Sequence, residues 1–212
     1  MSLAHGIHPW RQVERGMMPS RALQEWQTNG RTRLNELEAI HARATGPQPG
    51  RRWETEQLNR SLFVALVAQC QKYCRSLHDE AVEVHEREAN EHQADLLRNL
   101  MTQGSKLATQ TPRTDRLGAD FSRLGFDLVE AIKSDGPRSV EDLRLLDLLV
   151  DFRNAIGHGN ETKIADLVDG GEIKATKTDY RRYRRTLERL AHTMDRVVAA
   201  KLGDLLQIPR PW

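Results

Sequence analysis

The segment from residue 139 to residue 159 carries apolar side chains on two faces of one predicted helix. The first face is an apolar stripe that we expect to pack in the chain's own core, at about 100° per residue. It consists of Leu145, Leu148, Leu149, Phe152 and Ile156. The second stripe lies roughly 100–160° further round the helix. It consists of Leu143, Leu146, Val150 and Gly157. A helix with two apolar faces needs two packing partners, and a glycine lets another backbone approach closely. We therefore predict that the second stripe is a homodimer contact.

The remainder of the chain predicts further helices. Apolar residues recur at helical spacing in segments 20–44, 55–88, 91–103, 115–133 and 179–206, and alternating β-branched runs are absent. Thr55 and Ser139 are the expected N-caps of their helices, Gly30 is an expected weak point, and residues 160–178 are expected to form a loop. Aromatic residues make up only 5% of the chain, which argues against a base-stacking platform of the RNA-recognition or OB type. The sequence thus predicts an all-α bundle of five or six helices.

Proline and glycine divide the chain into two predicted parts. The run Gly46-Pro47-Gln48-Pro49-Gly50 ends the first helix. We expect residues 1–51 to be an N-terminal arm, up to about residue 19, followed by an accessory helix. Residues 52–212 are expected to form the main helical domain.

Charge and hydropathy limit the partners of this chain. It has 32 basic and 30 acidic residues, so any affinity for RNA must be local. The longest apolar run, residues 62–68, is far too short to cross a bilayer, and the N-terminus lacks an apolar signal core. We expect a cytoplasmic protein that does not associate with membranes.

A pattern of polar residues ends the helix with two apolar faces. Arg153 and Asn154 precede His158 by about one turn, and Gly157 and Gly159 flank the histidine. Arginine offers phosphate a permanent charge and a planar fork, and histidine is the side chain best able to move a proton near neutral pH. On an ideal wheel the two lie about 140° apart, so they converge only if the helix ends there, as the glycines permit. The alternative is a histidine that only complements the helix dipole.

The sequence Arg-Asn-Ala-Ile-Gly-His-Gly at the end of an apolar helix resembles the Arg-x4-His signature of the HEPN domains. These are all-helical proteins, many of them metal-independent ribonucleases, and the wording is similar to bacterial members in toxin, phage-defence and RNA-repair systems. The resemblance implies a homodimer in which both copies of the helix build one composite cleft. It covers residues 52–206 in helix order, but its specific match is the short motif alone.

The resemblance implies an endoribonuclease reaction that needs no metal or cofactor. His158 would act as general base or acid, Arg153 would stabilise the transition-state charge, and Asn154 would orient Arg153 or bind the phosphate. An antitoxin or defence partner is also implied. In one toxin branch a tyrosine two residues after the histidine accepts AMP, but Asn160 stands there, so regulation by that route is not expected. The competing hypothesis is a non-catalytic dimer that binds a nucleotide or RNA.

The last predicted helix begins with four arginines and two tyrosines in six residues. Tyr180, Arg181, Arg182, Arg184 and Arg185 are the candidates for RNA contact, and Tyr183 is expected in the core. Like charges at a helix start oppose the dipole, so they need a partner. RNA and acidic groups of the same protein are equally good explanations for that partner.

Cysteines and histidines in segment 70–92 have simple explanations. Cys70 and Cys74 lie one turn apart within an apolar stripe and are expected to be reduced core thiols. Histidines recur at heptad spacing at positions 78, 85 and 92, and this pattern is expected on a solvated face, since ligands spread along one helix do not converge on one ion. His78, Asp79 and Glu80 are kept as secondary site candidates because they could lie near the motif helix. No metal site is predicted.

Overall fold

The computed structural model describes residues 18–45 and 53–212, and all regular secondary structure in these ranges is helical. Helix α1 (Arg21–Glu25) continues through a π-helical turn (Trp26–Gly30) into α2 (Arg31–Thr45). Then follow α3 (Trp53–Glu88), α4 (Glu91–Thr102), α5 (Lys106–Thr109), α6 (Thr114–Ser122), α7 (Leu128–Lys133), α8 (Pro137–Gly157), α9 (Glu161–Asp169) and α10 (Lys177–Leu206). The predicted all-α class is confirmed for these ranges, and short helices raise the number above five or six. The predicted arm up to Met17, the Gly46–Gly50 break and the 51/52 boundary lie outside the described residues.

Helix α3 is the centre of the bundle and packs against α1, α2, α4, α8 and α10. Its inward face follows the apolar period of the sequence, and residues such as Phe63, Leu66 and Leu77 have no exposed surface. Complete burial of one such side chain contributes about 1.5–3 kcal/mol. Cys70 and Cys74 are buried in the same face and are free thiols, which confirms their predicted role in the core.

The first helix is anchored by polar groups of two other helices. Ser20 caps α1, and its hydroxyl oxygen accepts a hydrogen bond from the Leu23 N–H at 3.0 Å. The Ser20 hydroxyl donates to the buried Asp195 carboxylate of α10. The carboxylate of Glu80 on α3 accepts the backbone N–H groups of Arg21 and Ala22, both at 3.0 Å. The expected weak point at Gly30 is the end of the π-helical turn.

Three elements differ from their predictions. Segment 115–133 is not one helix but two, α6 and α7, because Gly125 between them adopts a left-handed φ of 91° that breaks the helix. The predicted loop after the motif contains α9, whose Ile164 is buried. The N-caps predicted at Thr55 and Ser139 are both wrong. Helix α3 already includes residue 53, and α8 begins at Pro137, whose fixed φ suits a first helical position.

Three of the four residues of the second apolar stripe of α8 lie in the core and not at a surface. Leu143, Leu146 and Val150 are buried in the chain's own core, where α8 packs against α3, α7 and α10. Those three residues therefore offer no surface to a second copy, and the predicted dimer contact is corrected at these positions. Within the first stripe, the side chains that remain partly exposed are Leu145, Leu148 and Ile156. Leu149 and Phe152 are fully buried, as predicted.

Candidate functional site

Helix α8 ends in a defined glycine cap. The N–H of Asn160 donates to the carbonyl oxygen of Ala155 at 2.9 Å, and the N–H of Gly159 donates to that of Ile156 at 3.1 Å. This pair of bonds is a Schellman motif, which needs a left-handed residue after the cap, and Gly159 has a φ of 63°. His158 is the C-cap residue. The predicted end of the helix at His158 and Gly159 is thus confirmed.

Arg153 is a half-buried cation that lacks a carboxylate partner. One of its terminal nitrogens donates to the Asn154 side-chain oxygen at 3.1 Å, so Asn154 orients the guanidinium. Its Nε is buried and makes no hydrogen bond, and within residues 18–45 and 53–212 no acidic group lies at ion-pair distance from it. Burying a charge without a partner is costly, so this guanidinium is poised for an anion from outside.

The acidic residues of α8 are already used by other groups. Asp142 accepts the Nε of Arg189 at 2.7 Å. Asp147 accepts the backbone N–H of Thr114 at 2.8 Å and its hydroxyl at 2.6 Å. Asp151 pairs with Arg113. These interactions join α8 to α6 and α10. Arg153, in the C-terminal half of α8, makes no comparable interaction with another helix in the described part of the chain.

His158 and Gly157 leave the end of α8 open. Both residues are exposed, and a Cβ atom added at Gly157 would lie 3.9 Å from a terminal nitrogen of Arg153. Gly157 therefore leaves space next to this end of the Arg153 guanidinium. His158 stands at the C-terminal end of α8, so the alternative role of this residue as a partner of the helix dipole is compatible with the same position.

Helices α3, α8 and α10 meet at the motif end of the bundle. The ring of Phe63 on α3 contacts Phe152 on α8, with ring centroids 5.2 Å apart, and Tyr183 on α10, with centroids 5.9 Å apart. Arg60 on α3 binds Glu161 of α9 at 2.7 Å, which fixes the helix that follows His158. The motif and the start of α10 therefore lie at the same end of the bundle, as the RNA-contact hypothesis requires.

The arginine-rich start of α10 is divided by the fold. Tyr180 has no exposed surface, and burial raises its pKa to about 12, so the ring is not available to stack a base and that expectation is corrected. Arg184 is buried and pairs with Glu38 of α2 at 3.1 Å, while Arg181 pairs with the same carboxylate at 2.7 Å. For these two arginines, acidic groups of the same protein are the partner.

The other two arginines of this segment are exposed. The guanidinium of Arg182 lies 5.0 Å from the centre of the Tyr183 ring, and Tyr183 is in the core as expected. Arg185 donates its Nε to the carbonyl oxygen of Arg181 at 3.3 Å. The partners of this segment, Arg31, Asn35 and Glu38, were not predicted from the sequence, although their i, i+4, i+7 spacing on α2 indicates a common face.

The secondary candidates lie far from the motif. His78 follows Phe63 by fifteen residues on α3, which corresponds to about 22 Å of helix. Its ring is buried against Phe121, with centroids 5.3 Å apart, and Glu80 caps α1 as described above. Asp79 is exposed on the same remote turn. This turn of α3 is therefore remote from the motif end of α8, and it is not part of the site formed by Arg153 and His158.

The solvated face predicted from the heptad histidines is also corrected. His78 and His85 are buried because α4, α5 and α6 cover this side of α3, whereas His92 lies on α4 and is exposed. Burial lowers the pKa of His85. In the described ranges no group of three or more His, Cys, Asp or Glu side chains is arranged to hold a metal ion. None of the helices there combines the length and apolar character that crossing a membrane requires.

Comparisons of the chain with family models, with curated proteins and with solved structures gave no match.

Proposed function

We propose that this protein is a metal-independent endoribonuclease of the HEPN type, with Arg153, Asn154 and His158 as its catalytic residues. The observation that carries the proposal is the half-buried guanidinium of Arg153, which has an orphaned Nε and no acidic partner in the described chain, next to the exposed end of a helix capped by His158. A phosphodiester supplies the anion that this guanidinium lacks.

The reaction is a transesterification within the RNA strand. The 2′-hydroxyl oxygen attacks the adjacent phosphorus and forms the new P–O bond, while the bond to the 5′-oxygen of the next nucleotide breaks. A base removes the 2′-hydroxyl proton, and an acid gives a proton to the leaving 5′-oxygen. His158 acts in one of these two roles, and Arg153 neutralises the charge that grows on the phosphoryl oxygens. The products are a 2′,3′-cyclic phosphate and a 5′-hydroxyl.

The need for two proton-transfer groups supports a homodimer as the active unit. One chain brings one histidine to the end of α8, whereas two copies related by a two-fold axis bring two. The half-exposed apolar side chains of α8, Leu145, Leu148 and Ile156, are the surface we propose for this contact in place of the buried stripe. Light scattering of the 24.2 kDa chain checks the dimer, and Leu148→Glu should convert it to the monomer.

The decisive experiment is incubation of the purified protein with end-labelled RNA in EDTA. We expect fragments with 2′,3′-cyclic phosphate ends, no cleavage of a DNA strand of the same sequence, and cleavage that is slower by a factor of about 10²–10³ with His158→Ala. Cleavage that appears only when a divalent metal is added contradicts the proposal. Binding of intact RNA without any cleavage by the wild-type protein supports the non-catalytic hypothesis instead.

A further inference from the structure

A groove of about 420 Å³ runs between α2 and the start of α10, at the motif end of the bundle. Its walls carry charged and amide side chains. They are Arg31, Asn35 and Glu38 from α2, and Arg181, Arg184, Arg185 and Glu188 from α10. With four arginines against two glutamates the groove is positive, although the whole chain is close to neutral.

Arg184 is the structural anchor of the groove. Its guanidinium donates to the side-chain oxygen of Asn35 at 2.9 Å and to the Arg31 carbonyl oxygen at 3.5 Å. It also lies 3.1 Å from a carboxylate oxygen of Glu38 and 3.4 Å from one of Glu188. Its side chain is only 9% exposed. Because these partners occupy its donors, Arg184 joins α2 to α10 and is not free to bind a ligand.

Arg31 and Arg185 keep donors that face solvent. The Nε of Arg31 is 3.9 Å from Glu188, at the limit of an ion pair, and its side chain is 59% exposed. Arg185 is exposed, and its Nε donates a hydrogen bond to the carbonyl oxygen of Arg181. In the part of the chain that the structure describes, no carboxylate forms an ion pair with Arg185. Arg181, which is also exposed, shares Glu38 with Arg184. The open cations of the groove are therefore Arg31 and Arg185.

We propose that this groove binds the sugar–phosphate backbone of single-stranded RNA, so that the accessory helix α2 forms part of the substrate site. The inference rests on the proposed ribonuclease function, because it assigns the groove to the same substrate. Exposed guanidinium groups contact phosphate through charge and a planar fork. The buried Tyr180 ring supplies no stacking surface, so the contact carries no base preference. The Tyr183–Phe63–Phe152 contacts link the groove's helix to the motif helix.

The test uses a 2′-O-methyl oligoribonucleotide, which binds but cannot be cleaved because its 2′-oxygen is blocked. Affinity is measured over a series of salt concentrations for the wild-type protein and for the double variant Arg31→Gln/Arg185→Gln. Each lost phosphate contact reduces the slope of log K against log salt by about 0.7 for a single strand. We expect the variant's slope to be shallower by about 1.4 for two contacts.

A matched control separates a local site from overall charge. Arg33 on α2 and Arg144 on α8 are exposed and lie outside the groove, so Arg33→Gln/Arg144→Gln removes the same charge from elsewhere and should leave the slope unchanged. The variant Arg31→Lys/Arg185→Lys keeps both charges and should retain most of the wild-type slope. Equal changes in both glutamine variants, an unchanged slope in Arg31→Gln/Arg185→Gln, or no binding by the wild-type protein each overturn the proposal. Cleavage is assayed separately on unmodified RNA, so failure of the groove and failure of the ribonuclease proposal give different results.

Discussion

Arg153 at the end of α8 and Arg184 at the start of α10 are two largely covered arginines with opposite surroundings. Arg184 is held by the side chains of Asn35, Glu38 and Glu188. Among residues 18–45 and 53–212, Arg153 has one hydrogen-bond partner, the amide oxygen of the adjacent Asn154, and its Nε has none. The same kind of side chain therefore joins two helices in one place and is left with unused donors in the other.

This difference shows how a site can be distinguished from a structural ion pair. A charge whose partners are all in the chain contributes to the stability of the fold, and its loss should lower stability and leave chemistry intact. A buried charge without such partners lowers the stability of the fold slightly, and such a charge indicates a site where a ligand supplies the missing partner. Substitutions at the two kinds of arginine should therefore affect different properties, either RNA cleavage or the stability of the fold.

Arg153→Ala and His158→Ala should each reduce the rate of RNA cleavage by a factor of about 10²–10³, the usual cost of removing one group that stabilises transition-state charge or transfers a proton. The melting temperature should stay the same, because neither side chain packs in the core and neither forms an ion pair with another residue in the described part of the chain. Single-turnover cleavage and thermal unfolding measure the two effects. Parallel losses of rate and melting temperature would place Arg153 with the structural charges.

Arg184→Met should lower the free energy of unfolding by about 3 kcal/mol, because it leaves Glu38 and Asn35 short of a buried partner. Urea unfolding measures this change. Arg182→Met is the matched control, since the Arg182 side chain is 63% exposed and its ion pair with Asp179 is 4.0 Å long. For this variant we expect the free energy of unfolding to change by less than about 0.5 kcal/mol. The single-turnover cleavage rate of the Arg184 variant at saturating RNA, measured where the variant is fully folded, should equal that of the wild-type protein.

Gly159→Ala should destabilise the protein by about 1 kcal/mol, because an L residue is strained at a φ of 63°. No heavy atom lies within 4 Å of the added methyl position, so the cost comes from the backbone alone. Gly157→Ala is the control with the opposite sign, since alanine inside a helix is favoured over glycine by about 0.5–1 kcal/mol. Equal effects of the two substitutions would argue against the Schellman end of α8.

Asp195→Asn tests a buried charge that belongs to the fold, and its effect should be the smallest. Burial raises the pKa of Asp195 above its ordinary value, and the hydrogen bond from the Ser20 hydroxyl offsets this only in part. The folded protein therefore binds this proton more tightly than the unfolded chain, so the contribution of Asp195 to stability falls as pH rises through the raised pKa.

The variant and the wild-type protein should accordingly be equally stable in acid, where Asp195 is protonated. Above the raised pKa the variant should be the more stable of the two. Urea unfolding at a series of pH values measures the difference, and a constant difference at all pH values would contradict the role of burial. The rate of RNA cleavage should not change.

Helical periodicity was enough to predict the fold class and the long helices, because α2, α3, α8 and α10 each keep an apolar stripe over several turns. It could not assign the two stripes of α8, since a helical wheel shows that Leu146 and Leu148 lie on different faces and not which face meets α3 and α10. It also missed the break at Gly125 and the short helix α9, which depend on a single left-handed residue and on one buried side chain, Ile164.

The candidate site could be predicted in its residues but not in its electrostatics. The glycines around His158 were sufficient to predict where α8 ends. The nearby acidic residues interact with other groups and not with Arg153. Asp147 accepts a hydrogen bond from Thr114, and Asp151 forms an ion pair with Arg113. Those pairs join residues more than thirty positions apart in sequence, and no local pattern predicts them. The same applies to Glu38, which pairs with arginines of α10 from the other end of the chain.

The central claim is that the missing partner of Arg153 is a phosphate, and the Nε–H signals of the arginines in a ¹⁵N-correlated NMR spectrum test it most directly. The signals of Arg153 and Arg184 are assigned by their absence in Arg153→Lys and Arg184→Lys. On titration with a 2′-O-methyl oligoribonucleotide, the Arg153 signal should move and saturate with the binding curve, and it should move further than the Arg184 signal, because the donors of Arg184 already have partners in the protein. An Arg153 signal that does not move at saturating oligonucleotide would contradict the account.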